Sequence, residues 1–344
     1  MTRDRVTSTY ATTTLSVDLA TATIPAVHQA PLILLDSSHP QERSWASAAA
    51  RPEFVMRCDA RTLIATLSRN GERIKSWDDP LQALGELDRP ASDCALATRQ
   101  QPGRWIGFLS YDLGRLFERL PSVAADDVDV PLFAFAFCRD ADGDGDGEER
   151  VESLVAQASR LCPPYEKHSR DDRATKDSNL ATVSSADPRS TFTPADYIAT
   201  VNRVLEYIRA GDIFQANLSQ RFTIERNLTP IQIYQNLLQA SPARFGGLLD
   251  FGDFVLICNS PELFLRVATD ANTGKRRVIT RPIKGTRPRA RGMEQQLRES
   301  IKDQAELNMI VDLERNDLGR VCQIASVKVT EPRTIETHPT VYHG

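Results

Sequence analysis

Apolar and polar positions alternate in short groups over the first part of the chain. Compact apolar runs bounded by polar or turn-forming residues predict strands, at 31–38, 51–60, 105–109 and 130–138. The Asn70-Gly71 pair predicts a tight turn at the end of a further run that reads as strand or helix. Short strands that follow one another directly along the chain are typical of an antiparallel sheet.

The pattern changes near residue 192, where apolar residues recur at helical spacing. Residues 192–212 predict a helix with Thr193 as its N-cap, Pro194 in its first turn and Gly211 as its C-terminal stop. Residues 213–225 alternate apolar and polar side chains, which predicts a strand. A second helix is predicted before Ser241-Pro242, followed by adjacent strands up to Lys284. Because strands come in groups with helices between the groups, we predict an α+β fold with antiparallel sheets.

A long helix is predicted over residues 294–313, closing near Gly319. One stripe of this helix is apolar and consists of Leu297, Ile301, Ala305 and Met309. Glu306 lies beside the stripe, one turn after Lys302, and two interpretations are open. It could form an exposed ion pair that contributes little to helix stability. Alternatively it could bind Mg²⁺, which takes one or two carboxylates together with substrate oxygens.

Composition narrows the classes of function. The 344 residues are 41% hydrophobic and 26% charged, with a net charge of -4, as in a soluble globular protein. This mild negative balance gives no reason to expect nucleic acid as a partner, and no apolar run reaches the roughly 18 residues of a membrane span. Six cysteines without a CxxC pair predict reduced thiols and a cytoplasmic location.

Four regions are expected along the chain. Residues 1–30 are rich in Thr and Ala and predict a disordered leader, and residues 31–160 hold the first group of strands. Residues 161–190 are polar and unpatterned, which predicts a surface linker. Residues 191–344 contain the candidate chemistry.

Lys284 lies where a predicted strand ends in a turn, within RPIKGTRPR. A lysine acts as a nucleophile when burial or neighbouring cations favour its neutral amine, and Arg281, Arg287 and Arg289 could supply that field. Gly285 would let a ligand approach the backbone. The alternative is a solvated basic loop without a chemical role.

Glu262 follows Ser260-Pro261 in an apolar, strand-rich segment. A glutamate in such surroundings could act as a general acid. It could equally be a strand residue that faces outward to solvent.

Several segments together resemble the chorismate-utilising enzymes, which include anthranilate, isochorismate, salicylate and aminodeoxychorismate synthases. The segments are LLDSS (34–38), GFLSYDLGRLFERLP (107–121), AGDIFQANLSQRF (210–222), SPARF (241–245), NSPELFLRV (259–267), RPIKGTRPR (281–289), KDQAELNMIVDLERNDLGRV (302–321) and HPTVYH (338–343). The resemblance implies a large antiparallel-sheet α/β sandwich of the anthranilate synthase component I type. Residues 191–344 would be the N-terminal part of its chorismate-binding catalytic domain.

Two positions separate the chemistries within that family. Lys284 stands where anthranilate synthases typically carry alanine and where aminodeoxychorismate synthase component I carries lysine. Gln215 stands where the isochorismate and salicylate enzymes place a water-activating lysine. The pair resembles the aminodeoxychorismate synthase branch of para-aminobenzoate and folate biosynthesis, with anthranilate synthase component I as the alternative.

The resemblance also implies a mechanism and its partners. Mg²⁺, with Glu306 as one ligand, would hold the ring carboxylate of chorismate. Lys284 would attack ring carbon C2 while Glu262 protonates the departing C4 hydroxyl. Ammonia from a glutamine amidotransferase subunit would then add at C4, leaving 4-amino-4-deoxychorismate. His343 matches the family histidine near the reacting ring, and Thr286 matches a threonine that lines the same pocket.

Two further expectations follow from the resemblance. Asp36 and Ser37 match a region that binds tryptophan in relatives. Family members also continue beyond the histidine, through a glycine-rich GAPK-type motif, an arginine and a tyrosine that grip the pyruvyl carboxylate, and a second metal-binding glutamate. A chain without these parts is expected to have an incomplete sandwich, and an inactive truncated family member is a third reading.

Overall fold

The computed structural model describes residues 32–36, 47–50, 52–87, 103–121, 127–139, 188–225, 228–269 and 273–344. The predicted leader at 1–30 and nearly all of the predicted linker at 161–190 lie outside these residues. The described residues fall into two compact units. The first unit contains the described residues of Met1–Asp36, Glu42–Asn236 and Gly247–Cys258. The second unit contains the described residues of Ser37–Gln41, Leu237–Gly246 and Asn259–Gly344.

The first unit contains a five-stranded sheet in the order β5-β4-β3-β7-β6. Its strands are β3 (Phe54–Cys58), β4 (Ala65–Arg69), β5 (Glu72–Trp77), β6 (Gly103–Leu109) and β7 (Phe133–Arg139). Every neighbouring pair is antiparallel. The β4–β5 turn is made by Asn70 and Gly71, both with positive φ, as the sequence predicts for a tight hairpin.

A second sheet in this unit has the order β11-β10-β1-β2. Its strands are β1 (Leu32–Asp36), β2 (Ser47–Ala50), β10 (Phe245–Asp250) and β11 (Val255–Ser260). Ile33 of β1 and Leu249 of β10 pack in one buried cluster with Ile106 of β6 and Ala134 of β7. Two antiparallel sheets with a shared core form a sandwich, which confirms the predicted fold class.

Two short helical segments cover the rest of the five-stranded sheet. Helix α1 (Pro80–Glu86) is capped by Asp79, and a 3-10 helix spans Tyr111–Leu116. Ser110 occupies the N-cap of that 3-10 helix, and Asp112 lies in its first turn. The Asp112 carboxylate pairs with Arg115 within the same helix.

Helix α2 (Pro194–Ala210) confirms its sequence prediction in detail. The Thr193 side chain accepts a hydrogen bond from the Asp196 amide, and Gly211 ends the helix in a left-handed conformation with φ of 79°. Downstream, the predicted strand at 213–225 is mostly wrong: β9 is only Phe222–Thr223, paired with β8 (Arg189–Ser190). Alternation gives a segment two faces, but a strand also needs a neighbour along its whole length to bond with its backbone.

The second unit is built from two small sheets and two helices. Strands β12 (Leu263–Thr269) and β13 (Arg276–Arg281) form an antiparallel hairpin. Strands β14 (Thr286–Pro288), β15 (Glu336–Thr337) and β16 (Val341–His343) form a sheet in the order β14-β16-β15. Helix α3 (Pro230–Ala240), most of which is in the first unit, precedes Ser241-Pro242, as predicted.

The long helix predicted over 294–313 is two helices, α4 (Met293–Glu299) and α5 (Ile301–Val321). Ser300 is extended and caps α5, because its side chain accepts a hydrogen bond from the Asp303 amide. The break changes the helical phase, so the predicted stripe is not one buried face: Leu297 is buried, whereas Ile301 is 81% exposed. Gly319 lies inside α5 and does not end it.

Two further observations concern cysteines and membrane segments. Of the cysteines in the described residues, Cys58, Cys138, Cys258 and Cys322 are all free thiols. Burial, followed by the charge of Asp59, raises the pKa of the Cys58 thiol to about 11. Within the described ranges, no helix is both long enough and apolar enough to cross a bilayer.

Candidate active site

The loop that carries Lys284 is closed onto the end of the chain. The Lys284 amide donates to the Gly344 carbonyl at 2.9 Å, and the Gly344 amide donates to the Gly285 carbonyl at 3.1 Å. The ammonium Nζ of Lys284 lies 2.9 Å from the Ile283 carbonyl oxygen, and the residue is half-buried. These contacts fix Lys284 on an ordered turn, not on an extended solvated loop.

Gly285 brings this turn into direct contact with the start of α5. Its φ is 85°, and a Cβ there would lie 2.7 Å from Leu297 and 2.9 Å from the side chain of Asp303. Asp303 is only 4% exposed, and its Oδ2 lies 3.0 Å from Arg287. The Ser300 side chain and then the charges of Arg287 and Lys302 hold the pKa of Asp303 below its usual value. Glycine is therefore required at 285 both for its conformation and for space.

Glu262 is bound to the residue before the lysine. Its Oε1 accepts a hydrogen bond of 2.8 Å from the Ile283 amide, and Glu262 is half-buried just before β12. This contact directs its carboxylate toward the Lys284 turn instead of outward from a strand. A carboxyl group and a lysine therefore lie on adjacent segments, and groups of these two types can act as an acid and a nucleophile in enzymes.

His343 and Thr286 meet across the β14–β16 pair, where they are register partners. Thr286 Oγ1 lies 3.0 Å from His343 Nδ1. Burial, followed by the charge of nearby His338, lowers the pKa of His343 to about 4. The imidazole is therefore neutral at pH 7 and can either donate or accept a hydrogen bond toward a ligand.

A half-buried carboxylate, Glu336, connects this sheet to two arginines. Its oxygens pair with Arg244, at 3.0 Å, and with Arg281. His338 Nε2 lies 3.5 Å away, and the His338 ring meets the His343 ring edge-on at 4.8 Å between centroids. The contact with His338, followed by the charges of Arg281 and Arg244, lowers the pKa of Glu336 to about 2. Glu336 thus neutralises local positive charge and holds the ring that packs on His343.

Glu306 lies one turn after Asp303 on α5. Its Oε2 is 3.3 Å from Lys302 Nζ, and its side chain is 30% exposed. Among the described residues, no group of three or more His, Cys, Asp or Glu side chains could hold a metal ion. A single partly exposed carboxylate nevertheless suits Mg²⁺, which keeps several waters and binds one or two carboxylates with substrate oxygens.

The remaining predicted residues lie elsewhere. Gln215 is half-buried in the first unit, in the irregular segment after α2. Asp36 ends β1, and Ser37 lies outside the described residues. The arginine field predicted around Lys284 is wrong in part, because Arg281 and Arg287 are each paired with a carboxylate, Glu336 and Asp303 respectively.

The sequence matches the model of the chorismate binding enzyme family over residues 32–344. The chain belongs to this family. Its Lys284 turn, Glu262, Thr286–His343 pair and Glu306 all lie within the matched region.

Named relatives of this chorismate-binding enzyme fall on two branches. Anthranilate synthase component 1 of Thermus thermophilus is 34% identical over 290 residues, covering 80% of this chain and 60% of the relative. Aminodeoxychorismate synthase component 1 of Escherichia coli is 33% identical over 288 residues, with the same two coverages. The crystal structure of anthranilate synthase component I from Streptococcus pneumoniae TIGR4 aligns with a TM-score of 0.59 and 25% identity, over 95% of this chain and 71% of that one. The chain therefore spans about 60% of the length of the two curated relatives.

Three residues of this chorismate-binding enzyme were not recognised from the sequence: Asp303, Glu314 and Glu336. Asp303 had a readable signal, since Ser300 precedes it by three residues, the spacing of a helix cap. Glu336 and Glu314 had none, because their partners are far away in sequence. Glu314 accepts a hydrogen bond from Thr280.

Acid is expected to destabilise the second unit of this chorismate-binding enzyme in two stages. His343 has a folded pKa of about 4 against an ordinary pKa of 6.5, so stability present above pH 6.5 falls as the pH drops toward 4. Glu336 has a folded pKa of about 2 against 4.5, so its contribution is complete above pH 4.5 and is lost as the pH drops toward 2. Glu336→Gln should remove the second stage and lower the free energy of unfolding at pH 7 by roughly 3 kcal/mol.

Urea unfolding at a series of pH values measures both stages. His343→Asn should remove only the upper stage, and Glu331→Gln, at an exposed position, serves as the control. If Glu336→Gln and the unaltered protein show parallel pH dependence, the ion-pair cluster does not stabilise the unit as described.

Proposed function

We propose that this protein is an aminodeoxychorismate synthase component I, which converts chorismate and ammonia to 4-amino-4-deoxychorismate. The observation that carries the proposal is the half-buried Lys284, held on a closed turn beside Glu262. In the family, lysine at this position resembles the aminodeoxychorismate branch, and alanine is typical of anthranilate synthases. The family match and the relatives named aminodeoxychorismate synthase are consistent with this choice.

The proposed chemistry is the one that the family resemblance implies, and the positions of Lys284 and Glu262 on adjacent segments support it. Lys284 Nζ, as a free amine, attacks ring carbon C2, both ring double bonds shift, and the C4–oxygen bond breaks. The Glu262 carboxyl gives its proton to the departing hydroxyl, which leaves as water. Ammonia then forms the C4–nitrogen bond and returns a proton to Glu262, both double bonds shift back, and the C2–lysine bond breaks to release the amine. The net reaction exchanges the C4 hydroxyl for an amino group, with water as the second product.

The Thr286–His343 pair is assigned to the substrate pocket. A neutral imidazole can bind a hydroxyl or carboxylate oxygen without adding a charge that would compete with Lys284 for the substrate. The Thr286 hydroxyl keeps the ring in one orientation through the 3.0 Å contact with Nδ1. Gln215 is assigned to substrate binding from the family resemblance alone, and Asp36 with Ser37 to a tryptophan site on the same basis.

Glu306 is assigned as a ligand of Mg²⁺. When bound, the ion would neutralise the ring carboxylate of chorismate and increase the electrophilicity of the ring. Lys302 Nζ lies 3.3 Å from the Glu306 carboxylate, and this ion pair would break when the metal ion binds Glu306. An exposed i,i+4 ion pair contributes only a few tenths of a kcal/mol, so it does not exclude the ligand role.

The proposal includes a protein partner and a compartment. Ammonia would come from a glutamine amidotransferase subunit, since the residues assigned here include no group that releases ammonia from glutamine. The free thiols at the described cysteines are consistent with a reducing, cytoplasmic location.

The identity of the product tests the proposal. The protein expressed from its complete gene should convert chorismate with ammonium and Mg²⁺ to 4-amino-4-deoxychorismate. In coupled samples with aminodeoxychorismate lyase, para-aminobenzoate should appear by chromatography and mass spectrometry. Anthranilate formed without any lyase would reject this proposal in favour of anthranilate synthase.

A further inference from the structure

The Arg287 side chain donates hydrogen bonds to three elements of the second unit. Its Nε donates to Gln296 Oε1 of α4 at 2.9 Å, and its Nη2 donates to Asp303 Oδ2 of α5 at 3.0 Å. Its Nη1 donates to the Thr286 carbonyl oxygen of β14 at 2.9 Å. Because a planar guanidinium fixes the directions of its N–H bonds, this one side chain sets how both helices lie against β14.

The Asp303 carboxylate is the buried member of this group. Its side chain is 5% exposed, and the Arg287 side chain is 27% exposed. The same Asp303 side chain packs against Gly285, where a Cβ would lie 2.9 Å from it. The other cation beside Asp303 is Lys302, at 3.8 Å and 83% exposed, and such an exposed pair holds a carboxylate only weakly. The turn that carries Lys284 therefore rests on a side chain whose position Arg287 determines.

The contact between Arg287 and Asp303 also connects the two parts of the candidate site. On one side of it the chain leads back through Thr286 to the Lys284 turn. On the other side, Glu306 follows Asp303 by three residues on α5, about one helical turn. A change in the Arg287 contacts would therefore alter the spacing between the lysine and the carboxylate of Glu306.

We propose that Arg287 is a positioning residue, which fixes the Lys284 turn relative to Glu306 by binding Asp303 and Gln296 at the same time. The inference rests on the proposed roles of Lys284 and Glu306 in the reaction. The competing description is an ion pair that stabilises the second unit as a whole and has no particular effect on the turn.

The Arg287→Lys variant separates these two descriptions. A lysine keeps a positive charge beside Asp303, so the buried carboxylate still has a cation. A single ammonium group, however, lacks the rigid fork that binds three fixed acceptors. If the ion pair alone matters, the variant should resemble the unaltered protein, whereas loss of positioning should loosen the Lys284 turn.

Amide hydrogen exchange of the substrate-free protein, expressed from its complete gene, measures this loosening. The Lys284 amide donates to the Gly344 carbonyl and reports on the turn, while the amides of the β12–β13 hairpin report on the rest of the second unit. In Arg287→Lys the Lys284 amide should exchange about 10-fold faster, as expected for the loss of a charge-assisted hydrogen bond. The hairpin amides should not change.

Arg69→Lys is the matched control. Arg69 pairs with Glu53 at 2.6 Å in the first unit, so the variant removes the same fork from a carboxylate outside the site. It should leave exchange at the Lys284 amide unchanged. In turnover of chorismate, Arg287→Lys should lower kcat by more than it changes KM, and Arg69→Lys should change neither.

A second variant guards against misfolding of the first. Gln296→Ala removes one acceptor at an exposed position and keeps the Arg287–Asp303 pair, so the Lys284 amide should exchange faster by a smaller factor.

Two results overturn the proposal. In the first, the turn and the hairpin accelerate equally in Arg287→Lys, as general destabilisation would produce. In the second, the Lys284 amide is unchanged in both Arg287→Lys and Gln296→Ala. The exchange readout needs neither chorismate nor Mg²⁺, so it fails separately from the proposed function. A turn that loosens without any fall in kcat would contradict the nucleophilic role of Lys284, on which the inference rests.

Discussion

The Lys284→Ala protein is expected to lose aminodeoxychorismate formation by at least about 100-fold, with a much smaller change in folding stability. The substitution removes the amine that would form the bond to C2. The main-chain contacts of residue 284 with Gly344 survive the change, because they use only backbone atoms. The measurement is turnover of chorismate with ammonium in the protein expressed from its complete gene.

A matched control is available on the same hairpin. Lys275 is exposed just before β13, and Lys275→Ala removes the same side chain outside the site. Its turnover should equal that of the unaltered protein. If Lys284→Ala turns over chorismate as fast as the unaltered protein, Lys284 does not form the covalent bond to C2 and is only a basic residue of the loop.

The Glu306→Gln protein is expected to need at least roughly 10- to 100-fold more Mg²⁺ for half-maximal activity. A neutral amide binds a hard divalent cation more weakly than a carboxylate does. Removing the carboxylate also breaks the contact with Lys302, but an exposed i,i+4 pair contributes only a few tenths of a kcal/mol. Titration of activity with Mg²⁺, together with thermal unfolding, separates the two effects.

The chain offers a second pair of the same kind as the control. Glu294 and Arg298 on α4 form an i,i+4 pair at 2.8 Å. Glu294→Gln should change stability as little as Glu306→Gln does and should not change the Mg²⁺ requirement. If the two variants respond to Mg²⁺ in the same way, Glu306 is only an ion-pair residue.

The sequence predicts this fold well where the signals are local. Thr193 and Gly211 mark both ends of α2 because a cap and a left-handed stop act within one turn of the residue that causes them. The Asn70-Gly71 hairpin is of the same kind. In each case the residue types decide the conformation without help from distant partners.

The failures have a common physical origin in distant or competing contacts. The strand predicted at 213–225 had alternation, but within the described residues strand pairing is limited to Phe222–Thr223. The helix predicted over 294–313 had a continuous apolar stripe, but the Ser300 cap restarted the helix in a new phase. In the site, Lys284, Glu262 and Glu306 could be selected from the sequence. Lys284 lies at a predicted strand end, Glu262 in an apolar segment and Glu306 on a predicted helix. Glu314 and Glu336 were not, since only the folded chain brings them to Thr280 and to Arg281.

The contact between Gly285 and Asp303 has a consequence for transplanting this chemistry. The chain leaves the lysine turn, forms β14 and α4, and returns so that the first turn of α5 lies against the place where it left. The lysine and the carboxylate of Glu306 are therefore spaced by one closed loop of backbone, and neither can be repositioned by itself. A designer who wished to install them in another scaffold would need to graft residues 280–321 together with Glu262 and the β16 segment through Gly344, because these hold the Lys284 turn.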